Sequence, residues 1–228
     1  MTMKQNTDRI SIQVGLSGYS FKIESDADIR SSEWLSSDRV FTTAEFQRRY
    51  DEVEIAVYTP KFTLVPSQFF APDSFRRQLE DVVCIRDNET VEYIELPEHA
   101  AVLLYSNTIG ETLSKVISET VLRTDGTKIR PLPAVYDMLC HVMHLPDYNK
   151  VLASYVDGVL YLVIAQGKTL LLCNSFKAPD FTTAQYFIFM AMKRLQLNPE
   201  ISAITMMNRL AEEEEMSLYR YFRSVEYI

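Results

Sequence analysis

The sequence predicts an α/β protein made of two tandem lobes, each a β-β-β-α-β-α unit, and three observations carry that expectation. The last third is regular: Val151–Tyr155, Val159–Ala165 and Thr169–Ser175 are three β-rich runs separated by Asp157-Gly158 and Gln166-Gly167 turns, an antiparallel meander. A block near the start, Phe41-Thr42-Thr43-Ala44, recurs 140 residues later as Phe181-Thr182-Thr183-Ala184. At the same offset Gly18 falls on Gly158 and the run Tyr19–Ile23 on Val159–Val163, which points to an internal duplication. Finally, 228 residues fit either one large domain or two small lobes.

Taken in order, Ile10–Val14 and Tyr19–Ile23 form a hairpin through Gly15-Leu16-Ser17-Gly18. Thr42-Thr43-Ala44-Glu45 places a hydroxyl and a carboxylate at capping-box spacing, predicting a helix that carries Phe46, Tyr50 and Val53. Glu54–Tyr58 and Phe62–Val65 read as strands around Pro60, and Asp73–Val83 as a helix with Phe75, Leu79, Val82 and Val83 apolar. Val91–Leu96 and Ala100–Tyr105 form a second strand pair, turned at Pro97-Glu98-His99. Ile109–Val121 has helical periodicity, Asp125-Gly126 marks a turn, and Ala134–His144 is a helix ending before Pro146. The proline break at Pro131–Pro133 sets the expected boundary, with lobes at 1–130 and 131–228. After the meander come a helix over Phe181–Leu195, opened by Thr182-Thr183-Ala184-Gln185, a strand at Ile201–Met206 and a helix over Ala211–Phe222.

Composition narrows the function classes. Twenty-three basic against 31 acidic residues give a net charge of −8 and argue against nucleic acid or an anionic membrane as partner. Three widely spaced cysteines, Cys84, Cys140 and Cys173, suit a reducing cytoplasm rather than a disulfide framework or a zinc ribbon. The polar start and the shortness of the apolar runs predict a chain that is neither secreted nor inserted in a membrane. With 6 Gly and 9 Pro, there is little material for glycine-lined phosphate loops.

Two tandem β-β-β-α-β-α units describe the duplicated ribonuclease-H-like architecture of the actin, sugar kinase and Hsp70 group. The run Leu171-Leu172-Cys173-Asn174-Ser175-Phe176, with Asp180-Phe181, Tyr186-Phe187 and the ending Leu218-Tyr219-Arg220-Tyr221-Phe222, resembles an uncharacterised bacterial family of actin-like ATPase fold. The opening Ile10-Ser11-Ile12-Gln13-Val14-Gly15 is similar to it as well. The resemblance implies the fold, since that family has no established activity.

ATPases of this fold carry an Asp-x-Gly turn between the first two strands of each lobe, where the carboxylate holds hydrated Mg²⁺ and amides and hydroxyls take phosphate oxygens. Laid on Gln13-Val14-Gly15-Leu16-Ser17, the turn keeps Gly15 and Ser17 but has the uncharged Gln13 in place of the carboxylate. The second turn, Ser154-Tyr155-Val156-Asp157-Gly158, has Asp157 at its tip without a glycine two residues on. A glycine pair for adenosine is replaced after Ile201–Met206 by Met207-Asn208-Arg209. The expectation is therefore a non-catalytic cytoplasmic binding or scaffold protein without cofactor. The alternative is a minimal ATPase or kinase using ATP and Mg²⁺ in an interlobe cleft, with Gln13, Gly15, Ser17, Asp157 and Gly158 as its phosphate region.

Other constellations are weaker. Cys140, His141 and His144 with Asp147 match no strong zinc spacing. Gly15-Leu16-Ser17-Gly18 joins two strands, so it is not a nucleophile elbow, and cysteines in apolar segments are expected to be buried and inert. Glu212–Glu215 reads as a solvated first helical turn that complements the helix dipole. The helix around Tyr186, Phe187, Phe189 and Met190 is apolar on all sides. It predicts either a central helix packed between the sheets or a surface for a protein partner or self-association.

Overall fold

The computed structural model describes residues 8–25, 28–107, 111–127 and 129–228, without the side chains of Glu111 and Thr112. In chain order the strands are β1 (Arg9–Val14), β2 (Gly18–Ser25), β3 (Asp28–Ser31), β4 (Leu35–Ser36), β5 (Arg49–Tyr50), β6 (Glu52–Val57), β7 (Phe62–Pro66) and β8 (Val91–Leu96). They continue as β9 (Ala101–Ser106), β10 (Leu122–Arg123), β11 (Leu132–Pro133), β12 (Asn149–Val156), β13 (Val159–Gln166), β14 (Thr169–Lys177), β15 (Ala203–Met206) and β16 (Ser224–Tyr227). The α-helices are α1 (Phe75–Glu80), α2 (Glu111–Thr120), α3 (Ala134–Val142), α4 (Phe181–Arg194) and α5 (Glu212–Tyr219).

Two compact units result, Met1–Thr59 with Asn107–Ala134 and Pro60–Ser106 with Val135–Ile228. In the first, the sheet runs β11-β6-β1-β2-β3. β1 is antiparallel to β2 and parallel to β6, with Ile12 opposite both Phe21 and Ile55. Strict alternation in β1 turns Ile10, Ile12 and Val14 inward, where they meet Tyr19, Phe46, Ile55, Ile117 and Val121. In the second unit the order is β14-β13-β12-β15-β16, again with only the second strand reversed. Both sheets therefore have one topology, third-second-first-fourth-fifth in chain order, as a duplication requires.

All but the last residue of β13 is buried, so this strand is covered on both faces. Leu160, Leu162 and Ile164 meet Ile188, Ala191 and Met192 of α4 and Leu218 of α5. On the opposite side Tyr161 stacks with Phe62 of β7 at 6.5 Å, and Ser175 Oγ donates to the Pro60 carbonyl at 2.9 Å. These contacts explain why residues 60–106 group with the C-terminal unit rather than with the N-terminal half that the sequence suggests. That segment has its own three-stranded sheet, β7-β9-β8, with a small core of Leu79, Val91, Val102 and Leu104. Inside it, the Lys61 ammonium grips both oxygens of Glu89, 7% exposed, at 2.6 and 2.8 Å.

Several sequence expectations change. Thr42–Val53 is not a helix but a 3-10 turn, Ala44–Gln47, followed by β5 and β6. The Thr43 hydroxyl is bonded to the Tyr19 hydroxyl at 2.6 Å and donates to the Arg39 carbonyl, so it caps nothing, while Tyr50 and Val53 are buried as strand residues. The final strand β16 was not expected from the short run Ser224–Tyr227. Ile109, the first residue of the expected helix 109–121, lies outside the described residues. No helix among the described residues is long and apolar enough to cross a membrane.

Candidate functional site

In the first unit the turn after β1 is closed by the Gly15 amide donating to the Gly18 carbonyl at 2.9 Å. Gly18 is obligatory there for space: a Cβ would sit 1.9 Å from the Leu35 carbonyl oxygen of β4. Ser17 is exposed, and its Oγ accepts from the indole of Trp34 at 2.8 Å. Gln13, half-buried on β1, accepts from the Tyr58 hydroxyl at 3.4 Å. The fold thus brings Gln13, Gly15 and Ser17 to one strand end. What gathers there is a neutral set of amide, hydroxyl and indole groups able to hydrogen-bond a ligand, with no charge at Gln13 to hold a cation.

The matching turn of the second unit is built differently. Asp157 and Gly158 are its two central residues, with φ of 53° and 69°, the mirror-image turn that suits the twist of β12 and β13. Asp157 stands exposed at the tip, and the Gly158 carbonyl accepts from the Ala178 amide at 2.8 Å. Just before the turn, Asn208 Oδ1 accepts from the fully buried Ser154 hydroxyl and the Tyr155 amide, both at 2.9 Å. Its Nδ2 donates back to the Tyr155 carbonyl at 3.0 Å. One carboxamide therefore takes the place of a further strand residue beside β12. The Ser154 hydroxyl and the Tyr155 amide at this strand end are thus both engaged by Asn208. In the sequence Asn208 stands only where a glycine pair is replaced; an amide side chain two residues after a strand is the available signal, without indicating its target.

The remaining groups are engaged elsewhere. His141 Nδ1 lies 2.9 Å from the Asp137 carbonyl and His144 Nδ1 2.8 Å from the Cys140 carbonyl, one helical turn back in each case. Asp147 accepts from Arg223 at 2.7 Å. No group of three or more metal-type side chains occurs among the described residues. Burial pushes the Cys173 thiol up to about 12, which suits an inert thiol. Cys84, by contrast, is exposed rather than buried, because it follows α1 into a surface turn.

The expected central helix is also corrected. α4 is capped by Asp180, whose carboxylate accepts from the Thr183 amide at 2.7 Å, and buries Phe181, Ala184, Ile188, Ala191 and Met192 against one sheet face. Its other side is open: Tyr186 is 62% exposed, and Phe187, Phe189 and Met190 are half-buried.

A family model described as "Protein of unknown function (DUF3822)" matches residues 3–225, almost the whole of this two-unit architecture. The chain belongs to the DUF3822 family. No curated protein matches it. Among solved structures, this DUF3822 chain is similar to a Bacteroides thetaiotaomicron protein with actin-like ATPase fold and unknown function. The TM-score is 0.68 at 19% identity, over 100% of this chain and 94% of that one. It is also similar to a chain of the PilM-PilN type IV pilus biogenesis complex, with TM-score 0.57 and 13% identity over 98% of this chain and 88% of that one. The DUF3822 chain has the actin-like ATPase fold, in agreement with its repeated strand order.

Proposed function

We propose that this protein is a non-catalytic binding or scaffold protein that keeps the actin-like ATPase fold and engages protein partners. The observation that carries the reading is the pair of turns at which ATPases of this fold hold phosphate and Mg²⁺. The first has Gln13 where a carboxylate is needed, and the second has its Ser154 and Tyr155 donors committed to Asn208. Phosphoryl transfer is chiefly positioning and charge neutralisation, so a turn without its charged or donor groups has little to contribute. Fold alone does not assign function. The similar PilM chain belongs to a complex with PilN, which supports a protein partner for a chain of this shape.

Thermal unfolding with millimolar ATP, ADP and Mg²⁺ tests the reading, because a ligand bound only by the native state at 100 times its Kd stabilises it by about 2.7 kcal/mol. The expected result is no shift for any nucleotide. A Mg²⁺-dependent shift that disappears in Ser17→Ala or Asp157→Ala overturns the proposal in favour of a minimal nucleotide-binding ATPase or kinase.

A further inference from the structure

The outward side of α4 is unusual for a helix on a protein surface. Thr182, Tyr186, Met190 and Lys193, spaced four, four and three residues apart, run along one line of the helix. An aromatic ridge flanks that line on each side. On one, Phe189 meets Tyr221 edge-on at 4.9 Å; on the other, Phe187 stacks on Phe176 of β14 at 4.7 Å. Rings held by neighbouring rings have already lost their rotamer freedom, so covering them costs little further ordering. Tyr186, 62% exposed, stands between the two ridges.

Charge is distributed unevenly along this surface. At the start of α4 lie Asp180 and the acidic first turn of α5, Glu212–Glu215. The two helices are placed side by side by Gln185 donating to Ser217, and Tyr155 senses both Asp180 and Glu214 electrostatically. At the other end stand Lys193 and Arg194, both exposed. Fourteen residues at about 1.5 Å each separate the two ends by roughly 20 Å, with the aromatic centre midway.

We infer that this face of α4 binds a second copy of the same chain in a two-fold dimer with the two α4 helices antiparallel. A two-fold interface brings one patch against itself. In that orientation the cationic end of each helix meets the anionic end of its partner at both extremities, and the Tyr186 centres meet on the axis. A parallel arrangement places like charges together at both ends. The self-complementarity selects a second copy over a foreign peptide, which would need only one sign of charge at a given end. The inference deepens the binding reading above by naming the partner of one surface, and it rests on that reading for its function.

Light scattering coupled to size-exclusion chromatography, from low to high micromolar protein, provides the test. Wild type is expected to approach twice the 26.3 kDa chain mass as concentration rises. Tyr186→Glu is expected to weaken association about thirtyfold, and Tyr186→Phe to leave the dimer intact. Lys193→Glu with Arg194→Glu is expected to weaken it about tenfold, and adding Glu212→Lys with Glu213→Lys in the same chain to restore it. A monomer at every concentration, a dimer indifferent to Tyr186→Glu, or a charge exchange that fails to restore association overturns the inference. A nucleotide-dependent thermal shift sinks the non-catalytic reading without touching the dimer, and a monomer without such a shift does the reverse.

Discussion

In the first unit the crossing from β3 to β6 includes a four-residue 3-10 turn, Ala44–Gln47, whereas in the second the crossing from β14 to β15 includes the 14-residue α4. The pairing registers record the difference: Ser11 lies opposite Glu54 in the first sheet, and Val151 opposite Ile204 in the second. From first strand to fourth the second unit is ten residues longer, 53 residues from Val151 to Ile204 against 43 from Ser11 to Glu54, and a full helix stands where the first unit has a 3-10 turn. Yet the order of strands is the same in both. Strand pairing and the inward alternation of side chains carry the topology, and the helical layer can shrink without altering it.

The tetrapeptide Phe-Thr-Thr-Ala takes two conformations for a reason one residue upstream. Asp180 precedes the second copy and accepts from the Thr183 amide, which opens a helix. Val40 precedes the first and is buried at 3% exposure in the core with Phe46 and Tyr50. The largest expected effect breaks this contrast directly. Val40→Asp, which transplants the cap, is expected to cost about 4 kcal/mol in denaturant unfolding, since it buries a carboxylate without a partner. A gain in helicity instead would show that the cap alone decides the conformation.

The two hairpin glycines sharpen the comparison. Gly18→Ala must drive a Cβ against the Leu35 carbonyl 1.9 Å away, and about 3 kcal/mol of destabilisation is expected. At Gly158 the nearest obstacle is 3.5 Å away and only the positive φ resists, so Gly158→Ala should cost about 1 kcal/mol. Equal costs at the two sites would contradict this division between space and conformation.

The second unit also carries the 60–106 sheet, to which the first has no counterpart, and the Lys61–Glu89 pair tests its contribution. Burial alone would push the Glu89 carboxyl up, but the Lys61 ammonium, the Arg86 backbone amide and the Ser106 hydroxyl together hold it below the usual carboxylate range. A depressed carboxylate contributes stability that is whole above the unfolded-state pKa and is lost as pH falls through the folded one. Glu89→Gln is therefore expected to cost about 2 kcal/mol at neutral pH and to flatten the acid limb of the stability profile. An unchanged acid limb would assign that dependence to other carboxylates.

Asn208→Ala leaves the buried Ser154 hydroxyl and the Tyr155 amide without their present acceptor, for about 1.5 kcal/mol. Repeating the nucleotide titration on this variant shows whether that amide closes the strand end to phosphate. Asp180→Ala is expected to cost about 1 kcal/mol, as little as Gly158→Ala, measured as lost stability with fraying at the start of α4.

Much of the architecture was written in local pattern. The alternation of Ile10, Ile12 and Val14, the meander with its Asp157-Gly158 turn, and the offset of 140 that relates Phe41–Ala44 to Phe181–Ala184 all specify strands, turns and duplication through period and turn chemistry. The missing carboxylate at Gln13 was equally legible, because an absent charge needs no coordinates to be seen. Other features depended on contacts distant in sequence. Thr43 became a partner of Tyr19 rather than a cap, residues 60–106 joined the C-terminal unit through Tyr161 and Ser175, and Asn208 closed β12 from 53 residues away. The open face of α4 belongs with them. Apolar periodicity shows that a helix has more than one oily side, but only the packed sheet decides which side is covered and which is left for a partner, since burial is a property of what lies against a residue and not of the residue itself.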